Sequence, residues 1–152
     1  MMRTSPDHLI FFVVVPIFNE EHGLRATLDA LETQSDREFT LVLVDNASTD
    51  DSTGIARAFA REHPALAVHR LTESQKGTGA ASDTGCRFAI APGAQWIART
   101  AAGCLPRRLW LPPPKFARAD AGLQYVAGRP RPPAARARYL PTAPAVPPSL
   151  VL

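Results

Sequence analysis

Apolar and polar positions come in alternating blocks along the first hundred residues. Leu9-Ile10-Phe11-Phe12-Val13-Val14-Val15 is an unbroken apolar run that passes into Pro16-Ile17-Phe18-Asn19-Glu20-Glu21. A second run, Phe39-Thr40-Leu41-Val42-Leu43-Val44, passes into Asp45-Asn46-Ala47-Ser48-Thr49-Asp50-Asp51. Runs that are apolar almost throughout, rather than at every second position, describe strands covered on both faces, as in a parallel sheet. Between them Leu24, Leu28 and Leu31 recur at helical spacing and form one apolar stripe. Asn19 is placed to cap that helix, with Glu20 and Glu21 in its first turn against the positive helix end. Ser48 and Asp51 stand three apart, as a capping pair would, before a helix carrying Ile55, Ala58 and Phe59. His63-Pro64 stops that helix. Residues 65–71 predict a third strand. Residues 78–90 predict a third helix, lined by Gly79, Ala80, Ala81 and Gly85 and so able to lie close to the sheet. After a turn at Pro92-Gly93, residues 94–98 predict a fourth strand. The order β-α-β-α-β-α-β predicts an α/β fold, a mostly parallel sheet sandwiched by helices with right-handed crossovers. Ligands of such sheets bind beyond the carboxyl ends of the strands, where both polar blocks lie.

The pattern ends near Pro106. Eleven of the 15 prolines fall between Pro106 and Pro148, interspersed with Arg and Ala. That density removes backbone donors and blocks helix, so residues 111–152 are expected to form a largely irregular Pro/Arg-rich tail. Leu123-Gln124-Tyr125-Val126-Ala127 is its one strand-like stretch. The division expected is an extension over residues 1–8, one domain over 9–110, and the tail. Charge divides at the same place. Residues 1–105 carry nine Lys/Arg against thirteen acids, and residues 106–152 carry eight against Asp120 alone. The basic pI of about 9.3 therefore belongs to the tail. Trp110 with Arg107, Arg108 and Lys115 would suit a membrane-surface or nucleic-acid patch, but no amphipathic period or repeated aromatic supports one. A solvated basic tail is the better reading, with no nucleic-acid partner. The longest apolar run is far short of the roughly 20 residues that span a bilayer. Residues 1–8 lack the features of a signal peptide, and two cysteines make no disulfide framework, so a cytoplasmic protein is expected.

A parallel sheet invites phosphate-binding glycine loops, and these are absent. No G-x-x-x-x-G-K-[ST] occurs, and the turn after the first strand reads Pro-Ile-Phe-Asn-Glu where a dinucleotide fold needs G-x-G-x-x-G. Gly77-Thr78-Gly79 follows the third strand and lacks the third glycine, which argues against a Rossmann-type dinucleotide protein. A nucleobase needs instead an aromatic shelf and a carboxylate to accept a ring N–H. Phe18 and Asp45 stand at the right strand ends to supply them. Taken singly, each is better explained as a core aromatic and a turn acid; together they favour a site.

Three ordered blocks carry a resemblance: Val13-Val14-Val15-Pro16-Ile17-Phe18-Asn19-Glu20-Glu21, Leu41-Val42-Leu43-Val44-Asp45-Asn46-Ala47-Ser48-Thr49-Asp50, and Gln75-Lys76-Gly77-Thr78-Gly79-Ala80-Ala81 ahead of Trp96-Ile97-Ala98. They resemble the family 2 glycosyltransferases over roughly residues 9–110. That resemblance implies a GT-A fold and inverting transfer from a nucleotide-diphosphate sugar, of UDP type, usually with Mg²⁺ or Mn²⁺. It implies that Pro16, Phe18 and Glu20 line the nucleoside pocket, that Asp45 contacts the base, and that Lys76 and Gly77 lie near the ribose or diphosphate.

The same resemblance exposes a departure. The family's Asp-x-Asp, whose carboxylates hold the metal against the diphosphate, belongs at positions 101 and 103, where this chain has Ala101 and Gly103. No Asp-x-Asp occurs in the 152 residues. No metal ligands are therefore assigned, and Arg99 is a possible electrostatic substitute. The family's general base comes from the acceptor-binding half, where this chain offers only Asp120 before proline-rich sequence. The expectation is a shortened family member with weak or no metal-dependent transfer. The alternative is a non-catalytic nucleotide-sugar binder or a degenerate remnant. Acceptor and general base are left unassigned.

Overall fold

The structure, a computed structural model, describes residues 10–111. The strand-like stretch at 123–127, Lys115, and most of the expected tail lie outside the described residues. In chain order the elements are β1 (Phe11–Ile17), α1 (Leu24–Glu32), β2 (Thr40–Asp45), α2 (Ser52–Glu62), β3 (Ala67–Thr72), α3 (Thr78–Ile90) and β4 (Trp96–Arg99). The four strands form one sheet in the order β3-β2-β1-β4, parallel at every junction. The chain builds outward from β1 to β3, then α3 carries it back past β1 to β4. The strand order thus reverses beside β1, the kind of position at which open α/β sheets bind ligands.

The two faces of β1 and β2 feed two cores, because successive side chains of a strand point to opposite faces. Val13, Val15, Ile17, Leu41 and Leu43 pack with Leu24, Leu28 and Leu31 of α1 and with Ala56 and Phe59 of α2. Phe12, Val14, Val42 and Val44 pack with Ala81 and Ala89 of α3. Both strands are therefore covered on both faces, which is why their sequences read as continuous apolar runs. β3, an edge strand, is mostly exposed and reads less clearly.

Gly85 explains the small-residue face of α3. A Cβ there would lie 2.4 Å from Val14 Cγ1 and 3.0 Å from Val44 Cγ2, so the helix sits directly on the sheet. Gly85→Ala is expected to destabilise the domain by about 2 kcal/mol through overpacking, read as a lowered thermal midpoint.

Pro16 sits inside the central strand without breaking it. Val14 and Pro16 direct their backbone groups to the same side of β1, and Val14 O accepts from Thr100 N at the end of β4. The β1–β4 register stops at Val14 opposite Arg99. The donor that proline lacks therefore falls beyond the ladder.

Local capping is the expectation that fails. Neither α1 nor α2 has a side-chain cap; they follow Gly23 and Asp51 respectively. Asn19 is instead held at φ 49°, and its Oδ1 accepts from Thr49 N at 2.8 Å. Ser48 Oγ accepts from Asn19 N at 3.0 Å. The polar residues assigned to helix ends join two loops to each other. After Arg99 the chain crosses to the end of α1, where Gln34 Oε1 accepts from Leu111 N at 3.0 Å and Gln34 Nε2 donates to Arg107 O at 2.7 Å. Trp110 packs against the α1-side core and Leu111 is buried, so Trp110 presents no free aromatic patch.

Candidate functional site

The site is built from four loops at the carboxyl edge of the sheet. The loops after β1 and β2 are stitched together. Besides the Asn19 bonds, Glu20 N donates to Ser52 Oγ at 2.9 Å, Glu21 N to Asp50 Oδ2 at 3.0 Å, and Asp51 N to Glu21 Oε2 at 3.1 Å. Partial burial pushes the Asp50 carboxyl up, but its hydrogen bonds from Ser52 and Glu21 outweigh this and hold it below the usual carboxylate range. Polar residues in the first loop thus have partners about thirty positions away.

The loop after β3 is anchored by Asn46, which is 4% exposed. Its Nδ2 donates to Glu73 O at 2.9 Å and Gln75 O at 2.7 Å, and its Oδ1 accepts from Gly77 N at 2.9 Å. Gly77 has φ 128°, a backbone conformation that suits glycine, and it leads directly into α3. Thr84 of α3 hydrogen-bonds the Glu73 carboxylate; this contact, with Gln75 N, holds Glu73 below its ordinary value.

Ile17 and Asp45 are register partners, so Phe18 follows the residue directly beside Asp45. Phe18 is 53% exposed, an unusual state for a phenylalanine that ends a buried strand. Asp45 is only half-buried overall. Its Oδ2 accepts from Ser48 N at 3.3 Å, but its Oδ1 is buried with no hydrogen-bond partner. Asp45 also lines a cleft of about 130 Å³ with Ile17, Ser52, Arg70 and Thr72.

Phe18 and Asp45 thus stand at the ends of the neighbouring strands β1 and β2, and Gly77 is tied to the loop after β2 through Asn46, with Lys76 exposed beside it; of these four only Asp45 lines the cleft. Pro16 is buried within β1. Glu20 turns toward β4 instead: a Cβ on Gly103 would lie 3.1 Å from Glu20 Oε2. Asn46 and Arg70 escape a sequence reading. Asn46 lies in a polar run that looks like an ordinary turn, and Arg70 lies on an exposed edge strand. His22 has a nearly fully exposed side chain. Cys86 is half-buried, and that burial pushes its thiol up.

Among the described residues, no group of three or more His, Cys, Asp or Glu is placed to hold a metal ion. No described helix is long and apolar enough to cross a membrane.

A parallel sheet whose order reverses beside β1, with a cleft of about 130 Å³ at its carboxyl edge, has the general arrangement in which open α/β sheets bind ligands. The family model "Glycosyl transferase family 2" matches residues 12–113, more than half of the chain. The chain belongs to that family, and its fold is that of the GT-A glycosyltransferases. Glycosyltransferase AglE of Haloferax volcanii is 28% identical over 101 residues, covering 65% of this chain and 32% of AglE. Mannosyltransferase PcManGT of Pyrobaculum calidifontis, solved with GDP-Man and Mn²⁺, superposes with a TM-score of 0.60 at 31% identity. That match covers 68% of this chain and 32% of PcManGT. S. aureus TarS in complex with UDP gives a TM-score of 0.60 at 23% identity, covering 73% of this chain and 31% of TarS, a likeness of fold. The chain thus spans about a third of the length of these proteins.

Proposed function

We propose that this chain is a nucleotide-sugar-binding domain of the glycosyltransferase type, taking a UDP-type sugar donor at the carboxyl ends of β1 and β2. The observation that carries this reading is the unpartnered, buried Oδ1 of Asp45 one register step from exposed Phe18. A buried acceptor without a donor is costly to the free protein, and a base ring N–H would satisfy it. Phe18 would offer the ring face; Pro16, buried within β1, and Glu20, turned toward Gly103, are assigned to the nucleoside pocket by the family resemblance alone. Lys76 and the Gly77 backbone are assigned to the ribose or diphosphate by the family resemblance, and an ammonium on a mobile stem suits phosphate oxygens. PcManGT and TarS, whose structures contain GDP-Man and UDP, support a nucleotide ligand of this class. A cytoplasmic setting fits the free thiols of Cys86 and Cys104.

By family resemblance the reaction would be glycosyl transfer with inversion to an acceptor. Metal-dependent transfer by this chain is expected to be weak or nil, because Ala101 and Gly103 carry no carboxylates. The second reading, a binder without catalysis, would follow if the missing carboxylates at positions 101 and 103 abolish transfer altogether. Isothermal titration with UDP, GDP and ADP tests the binding site. Saturable UDP binding, stronger than that of ADP, supports it; no heat with any of the three at millimolar ligand removes it. Turnover of a panel of nucleotide sugars with Mn²⁺ separates the two readings: weak transfer above background supports the transferase, and saturable binding with no turnover supports the binder; robust metal-stimulated transfer contradicts both.

A further inference from the structure

The loops after β1 and β4 meet where the strand order reverses, and their chemistry departs from that of a metal site. Ala101 is exposed and carries no donor atom. Gly103 has φ 87°, and its backbone is fixed from below. Gly103 N donates to Thr27 Oγ1 at 2.9 Å, and Thr27 Oγ1 donates to Cys104 O at 2.6 Å, with Thr27 fully buried in α1. An acid at 103 would have to adopt this left-handed conformation and would set its Cβ 3.1 Å from the Glu20 carboxylate. Position 103 is thus shaped for glycine, with Glu20 filling the space beside it.

A divalent cation shared with substrate phosphates still draws on one or two protein carboxylates and tolerates no cation in their place. Here Glu20 would have to serve alone, while the residue two positions before Ala101 is Arg99. Arg99 ends β4 in register with Val14 and is exposed. Its Nη1 donates to Ser82 Oγ at 3.1 Å, and Ser82 Oγ donates to Thr78 O at 2.6 Å. The guanidinium is therefore held against the N-terminal part of α3, the helix that follows the Lys76–Gly77 loop. A planar guanidinium with one N–H engaged keeps others for two phosphate oxygens.

Resting on the nucleotide-binding reading above, we propose that this chain holds the diphosphate of its ligand without a divalent cation, with the Arg99 guanidinium supplying the positive charge. The site then discriminates by charge between a nucleoside and its diphosphate through a side chain on β4, rather than through a metal on the loop that follows.

The test is calorimetric titration of the full chain with UDP and with uridine, in Mn²⁺ and in EDTA. UDP affinity is expected to be the same in both buffers. Arg99→Ala is expected to weaken UDP by about tenfold and leave uridine unchanged, with Arg99→Lys restoring part of the loss. A merely structural Arg99 would weaken both ligands alike, which overturns the assignment. Mn²⁺ tightening UDP about tenfold or more in the unaltered chain, with Glu20→Gln abolishing that gain, overturns the metal-free site but leaves the nucleotide reading intact. Absence of binding by both UDP and uridine in both buffers overturns that reading and the proposal with it.

Discussion

Asp45→Ala is expected to weaken UDP binding about thirtyfold, close to 2 kcal/mol, while leaving the domain as stable as before or slightly more so. The two effects have opposite origins. In the ligand-free domain Asp45 Oδ1 has lost water and gained no donor, so the fold carries an unrecovered desolvation cost. Removing the carboxylate removes that cost and forfeits one long bond, the 3.3 Å contact from Ser48 N. In the proposed complex the same oxygen would accept from the base, a charge-assisted bond shielded from water. Uridine should suffer the same loss as UDP, because the contact is to the base and not to the phosphates. This separates Asp45 from Arg99, whose removal is expected to spare uridine. Asp45→Asn should fall between wild type and Ala, since its amide keeps one acceptor but turns a donor toward either Ser48 N–H or the base. Urea denaturation and titration calorimetry on the same samples read both quantities. A destabilised Asp45→Ala with unaltered affinity would identify Asp45 as a turn acid and nothing more.

The fold is legible in this sequence where burial is two-sided and local. Val13–Val15 and Leu41–Val44 announce themselves because helices cover both of their faces, and the bounds of α3 are those the pattern predicts. The first strand begins and ends two residues later than the apolar run suggests, because pairing with β2 continues through Ile17 to Asp45. Legibility fails where partners are distant. Asn19, Ser48 and Asp51 have the composition of helix caps, and a local reading assigns them so. Their actual contacts join the loops after β1 and β2, twenty-nine or thirty positions apart. Gln34 continues the stripe of Leu24, Leu28 and Leu31 by one more step, and that spacing was a usable sign of burial. Its polarity hides the fact, since a buried glutamine makes sense only once Arg107 O and Leu111 N are known to lie opposite. The candidate site divides in the same way. Phe18 and Asp45 follow from strand ends alone, whereas the turn of Glu20 toward Gly103 needs the β1–β4 adjacency, which α3 creates and no short motif encodes.

Asn46→Ala is expected to cost about 3 kcal/mol of stability, the largest effect of any single truncation considered at the site. Three hydrogen bonds converge on this nearly buried amide, two from it to carbonyls of Glu73 and Gln75 and one to it from Gly77 N. Truncation leaves two acceptors and a donor without partners beneath the loop that carries Lys76. Against a typical total of about 5–15 kcal/mol, a loss of that size shifts the unfolding midpoint visibly. Asn46→Asp sharpens the argument, because it keeps the shape and the acceptor for Gly77 N. It replaces the amide donor by an oxygen facing two carbonyls, so the charged form is disfavoured and the folded-state pKa rises above the unfolded value. The penalty should be complete at pH values above that raised pKa and should shrink as pH falls toward the unfolded value, where the carboxyl is protonated in both states. Recovery would be partial, since one O–H can serve only one of the two carbonyls. Urea midpoints of Asn46→Asp measured between neutral and mildly acidic pH, relative to the unaltered domain, read this directly. A variant as stable as wild type at neutral pH would mean that the loop from Glu73 to Gly77 is held by something other than Asn46, and the placement of Lys76 beside the nucleotide would lose its anchor.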